Sequence, residues 1–337
     1  MLASIGLFRT ERQHVPDHPP QPPPPCGVAT ASAALAGAAR AEGFSILPER
    51  GTGQFATSTP IFVESVTLRV RDPALMTRFY SEVIGLSVLG TEGTTTRLGV
   101  DDVALVTLDH RPEAPFEPPS EAGLYHTAFL MPSRADLAAW LVHTAMLQYP
   151  FSGFADHRVS EAVYLDDPEG NGIEVYADRA PELWNWNTDG TVVMGSEAID
   201  FDSLLALTPN DRDTFASAPT GTRIGHIHLR AGDITAARGF YAAALGLDIT
   251  SGRDDAVFLS SGGYHHHVAL NTWQSAGAGP RDPSATGLAQ FTLRVSDPAL
   301  LEPARMRLTQ AGAQTSEAGS DLIAADPWGT LVRLSIA

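Results

Sequence analysis

The chain has 337 residues, average apolar content and a formal net charge of −17. That length accommodates two domains with their own cores, and that charge argues against partners such as nucleic acid or anionic membrane surfaces, which select basic patches. The single cysteine, Cys26, excludes an intramolecular disulfide framework and fits a reducing cytoplasm, and no apolar run approaches the roughly 18 residues of a membrane helix.

Residues 1–58 contain the run HPPQPPPP and then an alanine-rich stretch without a strong apolar stripe. Polyproline joins neither helices nor central strands, so this segment reads as a disordered Pro/Ala-rich extension outside the fold. Its first residues, MLASIGLFRTERQ, are a short apolar patch followed by charges, a poor signal peptide.

An internal repeat organises the remainder. LRVRDPALMTRFYSEVIGL at 68–86 recurs as LRAGDITAARGFYAAALGL at 229–247. Each copy reads as a strand, a helix opened by an aspartate N-cap (Asp72, Asp233) and a Gly-Leu exit. Weaker copies are LMPSRADLAAWL, capped by Ser133, and LRVSDPALLEPARMRL, capped by Asp297. Alternating apolar segments such as AVYLDD, IEVYA, AVFLSS and LVRLSI follow. The pattern predicts an α+β fold of four βαβββ modules in tandem, closing two incomplete-barrel cavities. Modules one and two occupy a first domain, 59–178, and modules three and four a second, 223–337, with a connector at 179–222.

A repeat allows one position to be compared across its copies. Seven residues before each cap, on the first strand, stand Ser65, His126, His226 and Gln290, all polar among apolar neighbours. On the last strand, the position four residues after the glycine of an Asp-Pro-x-Gly turn holds Glu174 in module two and Arg333 in module four. Module three has no such turn; a turn two residues shorter aligns Glu174 with His266 of GGYHHHVALN (262–271), while His265 and His267 face away and brace the strand. Module one is too diverged here to align. A facial triad of two imidazoles and one carboxylate suits a divalent transition metal, and only modules two and three together supply it, as His126, Glu174 and His226. The middle modules are therefore expected to share the metal cavity and the outer modules a blank one.

The stretches IGHIHL, GFYAAALGL, GLYHTAFL, DHRVSEAVYLDDPEGNGIEVYADR and GGYHHHVALNTW resemble the vicinal oxygen chelate superfamily of glyoxalases, bleomycin resistance proteins and dioxygenases. Within it they are most similar to the extradiol catechol 2,3-dioxygenases, over about 62–337. The resemblance implies Fe(II), or in some members Mn(II), bound by His126, His226 and Glu174. It implies that His266 is the acid–base histidine beside oxygen, and that His157 and Tyr164 hydrogen-bond the substrate hydroxyls and shuttle protons. The expected partners are a catechol or substituted catechol and O2, with room for a homo-oligomer, in a cytoplasmic enzyme of aromatic catabolism. Rival readings are a glyoxalase-like isomerase or thiol transferase of the same superfamily, and a non-catalytic binder of aromatic compounds. His228, on the face of His226, could be structural or could meet substrate. Trp184, Trp186 and Trp273 read as packing residues, with Trp273 close enough to the triplet to border a pocket.

Overall fold

A computed structural model describes residues 54–336; the extension expected at 1–58 lies outside the described residues except for its last five positions. Each predicted module is present. Module one comprises β1 (Ile61–Val70), α1 (Pro73–Glu82), β2 (Ser87–Glu92), β3 (Thr95–Val100) and β4 (Val103–His110). Module two comprises β5 (Gly123–Leu130), α2 (Arg134–Met146), β6 (Gly153–Asp156), β7 (Ser160–Asp166) and β8 (Gly172–Asp178). The connector contributes a short helix, α3 (Phe201–Leu205). Module three has β9 (Arg223–Arg230), α4 (Ile234–Ala237) continued by a π-helical stretch over Arg238–Ala244, β10 (Asp248–Arg253), β11 (Ala256–Ser260) and β12 (Val268–Asn271). Module four has β13 (Gly287–Val295), α5 (Leu301–Gln310), β14 (Thr315–Ala318), β15 (Asp321–Ala325) and β16 (Leu331–Ile336). The four predicted caps act as such, each side chain accepting a backbone N–H at the start of its helix or turn.

The strands form two eight-stranded sheets, ordered β10-β11-β12-β9-β5-β8-β7-β6 and β14-β15-β16-β13-β1-β4-β3-β2. Modules two and three share the first sheet and modules one and four the second. The sheets thus cut across the division of the chain into 59–178 and 223–337, because each first strand pairs with a first strand from the other half. Both central seams, β5–β9 and β1–β13, are antiparallel and carry a pair of register shifts at corresponding places. In each module the last strand runs parallel to the first.

Contacts between consecutive modules explain the repeated Phe-Tyr pair and the Asp-Pro turns. Tyr80, at the end of α1, donates its hydroxyl to Asp167 Oδ2 at 3.0 Å in the turn before β8. Tyr241 repeats this with Asp326 Oδ2 at 2.9 Å. Both carboxylates also accept backbone N–H groups of their own turns. A second tie is the buried Trp140 of α2, whose Nε1 donates to the carbonyl of Val83 at the end of α1.

Residues Phe55–Ser58, assigned from sequence to the extension, instead form a 3-10 turn packed into the molecule. Ala56 is fully buried, and Phe55 stands against Trp184 and Tyr264. Among the described residues no helix is long and apolar enough to cross a membrane.

Candidate metal centre

Three neighbouring strands of the inner sheet bring His126, Glu174 and His226 together. Ala128 on β5 stands opposite His226 on β9 and beside Glu174 on β8. His126, two residues before Ala128, lies on the same face. Alanine at the centre of this group leaves the space into which the longer side chains converge. Their ligand atoms all lie within 4.8 Å of one another, a spacing that could hold one metal ion. Glu174 Oε2 is 3.0 Å from His126 Nε2 and 3.2 Å from His226 Nε2. His126 Nε2, although so close, is off the line of a hydrogen bond and is a buried polar atom without a partner among the described residues. Unpartnered buried donors and acceptors are rare in native interiors, and here a cation would satisfy one. Donor set, spacing and the orphaned nitrogen all fit a divalent transition metal.

The protonation states suit ligation. Burial would raise the Glu174 carboxyl, but the imidazoles of His226 and His126 overcome it and hold the group well below the usual carboxylate range. Burial lowers His226 to about 4 against the opposing pull of Glu174, leaving its imidazole neutral at pH 7.

The outer sheet repeats the geometry without the chemistry. Its first-strand positions are Ser65 and Gln290; register places Thr107 and Arg333 where Glu174 stands. Module one, which the sequence left unaligned, is thereby assigned. Arg333 is tied to Asp321, with Nε 2.7 Å from Oδ2.

Register also corrects the alignment of the histidine triplet. Leu165 pairs with Ile173 in module two, and Leu259 pairs with Val268 in module three. The connection in module three is therefore one residue longer, not two shorter, and Ala269 rather than His266 occupies the Glu174 register. The triplet precedes β12, so strand alternation does not govern it. His266 nevertheless reaches the site from this loop, its ring centroid 4.2 Å from that of His226 and 5.2 Å from that of Phe258. His265 does not point away as alternation predicted; its Nδ1 is 2.7 Å from His266 Nδ1, and its Nε2 is 3.0 Å from Asp178 Oδ1. His267 does turn away and braces the structure: Nδ1 meets Ser260 Oγ and the Ser261 amide, and Nε2 donates to the Ala56 carbonyl.

These bonds set the proton positions along one side of the site. Asp178, which also accepts from Tyr264, takes a hydrogen bond from His265 Nε2. His265 Nδ1 must then accept from His266 Nδ1, which leaves His266 Nε2 without a proton. Burial, reinforced by the imidazoles of His226, His265 and His228, keeps His266 well below the ordinary histidine range.

The opposite side has its own pair. His157 Nδ1 donates to the Gly195 carbonyl at 2.6 Å, so Nε2 is an acceptor and takes the Tyr164 hydroxyl at 2.7 Å. The Tyr164 ring is 5.6 Å from that of His126. Burial, then the nearby Glu174 carboxylate, push its phenol well above 10, so it remains protonated.

Sequence reading gave no role to Asp178, although it lies within DHRVSEAVYLDDPEGNGIEVYADR, and it missed Gly195 and the connector that supplies it. It also missed Tyr125, whose ring lies 4.9 Å from His228 and 5.4 Å from Trp273. Adjacency to His126 was the available signal. Trp273 borders this group, and Trp184 packs behind the triplet against His265 and Tyr264. Trp186 is partly exposed and pairs by a lone bridge with Val192.

The model of the Glyoxalase/Bleomycin resistance protein/Dioxygenase superfamily matches residues 63–175 and 223–333. The chain is 37% identical over 274 residues to a catechol-2,3-dioxygenase of Bacillus subtilis (strain 168), covering 80% of this chain and 94% of that one. Among solved structures, glyoxalase I from Zea mays has a TM-score of 0.52 at 16% identity, covering 83% of this chain and 94% of that one, which shows a shared fold. Repeated module, paired sheets and matched segments agree: the chain belongs to the Glyoxalase/Bleomycin resistance protein/Dioxygenase superfamily.

Proposed function

We propose that the protein is an Fe(II)-dependent extradiol dioxygenase, opening the ring of a catechol beside its hydroxyl pair and placing both atoms of O2 in the product. One observation carries this reading: a His-Glu-His cluster with a separate proton-handling pair on each side, Tyr164–His157 and His266–His265. A catechol must lose protons as it binds, and ring opening needs a proton returned; two differently protonated relays suit that traffic. The curated relative of 37% identity, named a catechol-2,3-dioxygenase, supports the same substrate class.

His126, Glu174 and His226 would hold the ion, which when bound supplies a Lewis acid for the hydroxyls and a redox centre for dioxygen. The chain's own residues do the rest. A proton arriving at the Tyr164 oxygen is balanced by transfer of the phenolic proton to His157 Nε2, while Gly195 keeps Nδ1 engaged. His266 Nε2 accepts a proton on the other side and returns it later, with Asp178 fixing the order of donors through His265. The sealed setting of the triad, none of its members more than 6% exposed, excludes bulk water from the ligand atoms. A glyoxalase-like isomerase or thiol transferase draws on a fuller ligand set, and Ala269 at the position equivalent to Glu174 contributes none.

Anaerobically purified protein loaded with Fe(II), mixed with catechol in air, should consume oxygen and form a yellow ring-opened product. Iron bound at one per chain with neither colour nor oxygen uptake across a panel of catechols would refute the assignment.

A further inference from the structure

His228 shares the face of His226 and pairs directly across the seam with His126, its ring 4.9 Å from that of His126. Yet it is not a member of the ligand cluster. Its ring is enclosed by Tyr125, Phe258 and Trp273, at 4.9, 6.0 and 5.6 Å. Tyr125 is partly exposed and Trp273 is 43% exposed, so this wall stands on the open side of the site.

The proton on His228 can be located from hydrogen bonds alone. Asn271 Oδ1 accepts the backbone N–H of Trp273 at 3.1 Å, which fixes the orientation of the amide. Asn271 Nδ2 is then the atom 2.9 Å from His228 Nε2. An amide NH2 only donates, so Nε2 accepts and the ring proton sits on Nδ1. Nδ1 has no hydrogen-bond partner among the described residues. It is not among the enclosed unpartnered polar atoms, so this N–H opens onto the site, where an acceptor arriving with a ligand can take it.

We propose that His228 orients the aromatic substrate, donating from Nδ1 to a carbonyl or carboxylate oxygen on the catechol ring, with Tyr125 and Trp273 supplying flat apolar surface beside it. This rests on the dioxygenase reading. The protein therefore prefers catechols that carry an oxygen acceptor on the ring over alkyl-substituted ones of similar size.

The test is anaerobic calorimetric binding to the Fe(II)-loaded protein, without turnover, of 3,4-dihydroxybenzaldehyde, 3,4-dihydroxybenzoate and 4-methylcatechol. The ratio of affinities, acceptor-bearing to methyl, should fall about tenfold in His228→Phe and be largely kept in His228→Gln, which retains a donor. Comparing ratios between variants cancels the substituents' effect on the catechol hydroxyls. Iron content should be unchanged in both variants. A ratio that stays within about twofold of wild type in His228→Phe overturns the proposal, and so does its equal loss in both variants or a loss of iron. Failure of 4-methylcatechol and plain catechol alike to bind the loaded wild type would instead overturn the dioxygenase reading beneath it.

Discussion

Replacing Glu174 by glutamine separates a metal ligand from a structural ion-pair hub. The amide matches the carboxylate in volume, and with its oxygen at the place of Oε2, which faces both imidazoles, it can still accept from His226 Nε2, 3.2 Å away, leaving His126 Nε2 as it was. In the metal-free protein two effects oppose each other. The change relieves the burial of a charge that is 2% exposed beside a neutral His226, and it gives up charge-assisted hydrogen bonds. The metal-free variant should therefore lie within about 1 kcal/mol of wild type, a shift in Tm of about 2 °C for a chain of this size. With iron the two proteins part. At a free concentration one hundred times Kd, binding stabilises wild type by about 2.7 kcal/mol, or roughly 5 °C. The variant, lacking the anionic ligand, should show no shift at that concentration. Calorimetric scans under anaerobic conditions, with chelator and with Fe(II), read both quantities. A metal-free loss of more than about 3 kcal/mol, or an iron-induced shift kept in Glu174→Gln, would refute the reasoning.

His126→Ala and His226→Ala should lose iron, measured by metal analysis, whereas Gln290→Ala and Arg333→Ala in the outer sheet should keep it. Asp178→Ala removes the acceptor that orders the proton positions of His265 and His266, so iron and substrate binding should persist while kcat falls about tenfold to a hundredfold; unchanged kcat would remove Asp178 from the relay. Burial raises Asp167 and Asp326 to about 6, above the ~3.9 of an unfolded aspartate. Their protonation favours the fold, a contribution complete below about pH 4 and lost as pH rises through about 6. The stability difference between wild type and the Asp167→Asn/Asp326→Asn double variant, from urea unfolding, should accordingly move in the variant's favour between pH 4 and 7. A difference that does not change with pH would contradict the raised values.

Local signals told the truth about local structure. Every cap that the repeat singled out, from Asp72 to Asp297, begins a helix or turn, and the polar register that selected His126 and His226 faces the site. Chemistry then reached what adjacency in the chain could not: requiring two imidazoles and a carboxylate paired modules two and three, which share a sheet. The alignment of His266 failed because loop length is not encoded by strand periodicity; Ser261 to His267 follow a path of their own, and only the pairing of Leu259 with Val268 reveals it. Orientation of side chains was legible least. Asn271 and Asp178 set proton positions through single hydrogen bonds made across the sheet, and neither residue is distinctive in type or spacing.

Pairing the terminal modules with each other has a consequence for the order of events at the ribosome. β1 is synthesised early, yet its antiparallel neighbour β13 spans Gly287–Val295, three modules later. The inner sheet needs nothing beyond Asn271, so the triad can assemble while β1 still lacks its neighbour. An unpaired apolar strand is a hazard for aggregation until its partner arrives, and long-range pairing is slow. Nascent chains stalled once β12 has cleared the ribosome should already acquire iron, while their first module waits for a chaperone or for β13 to be made.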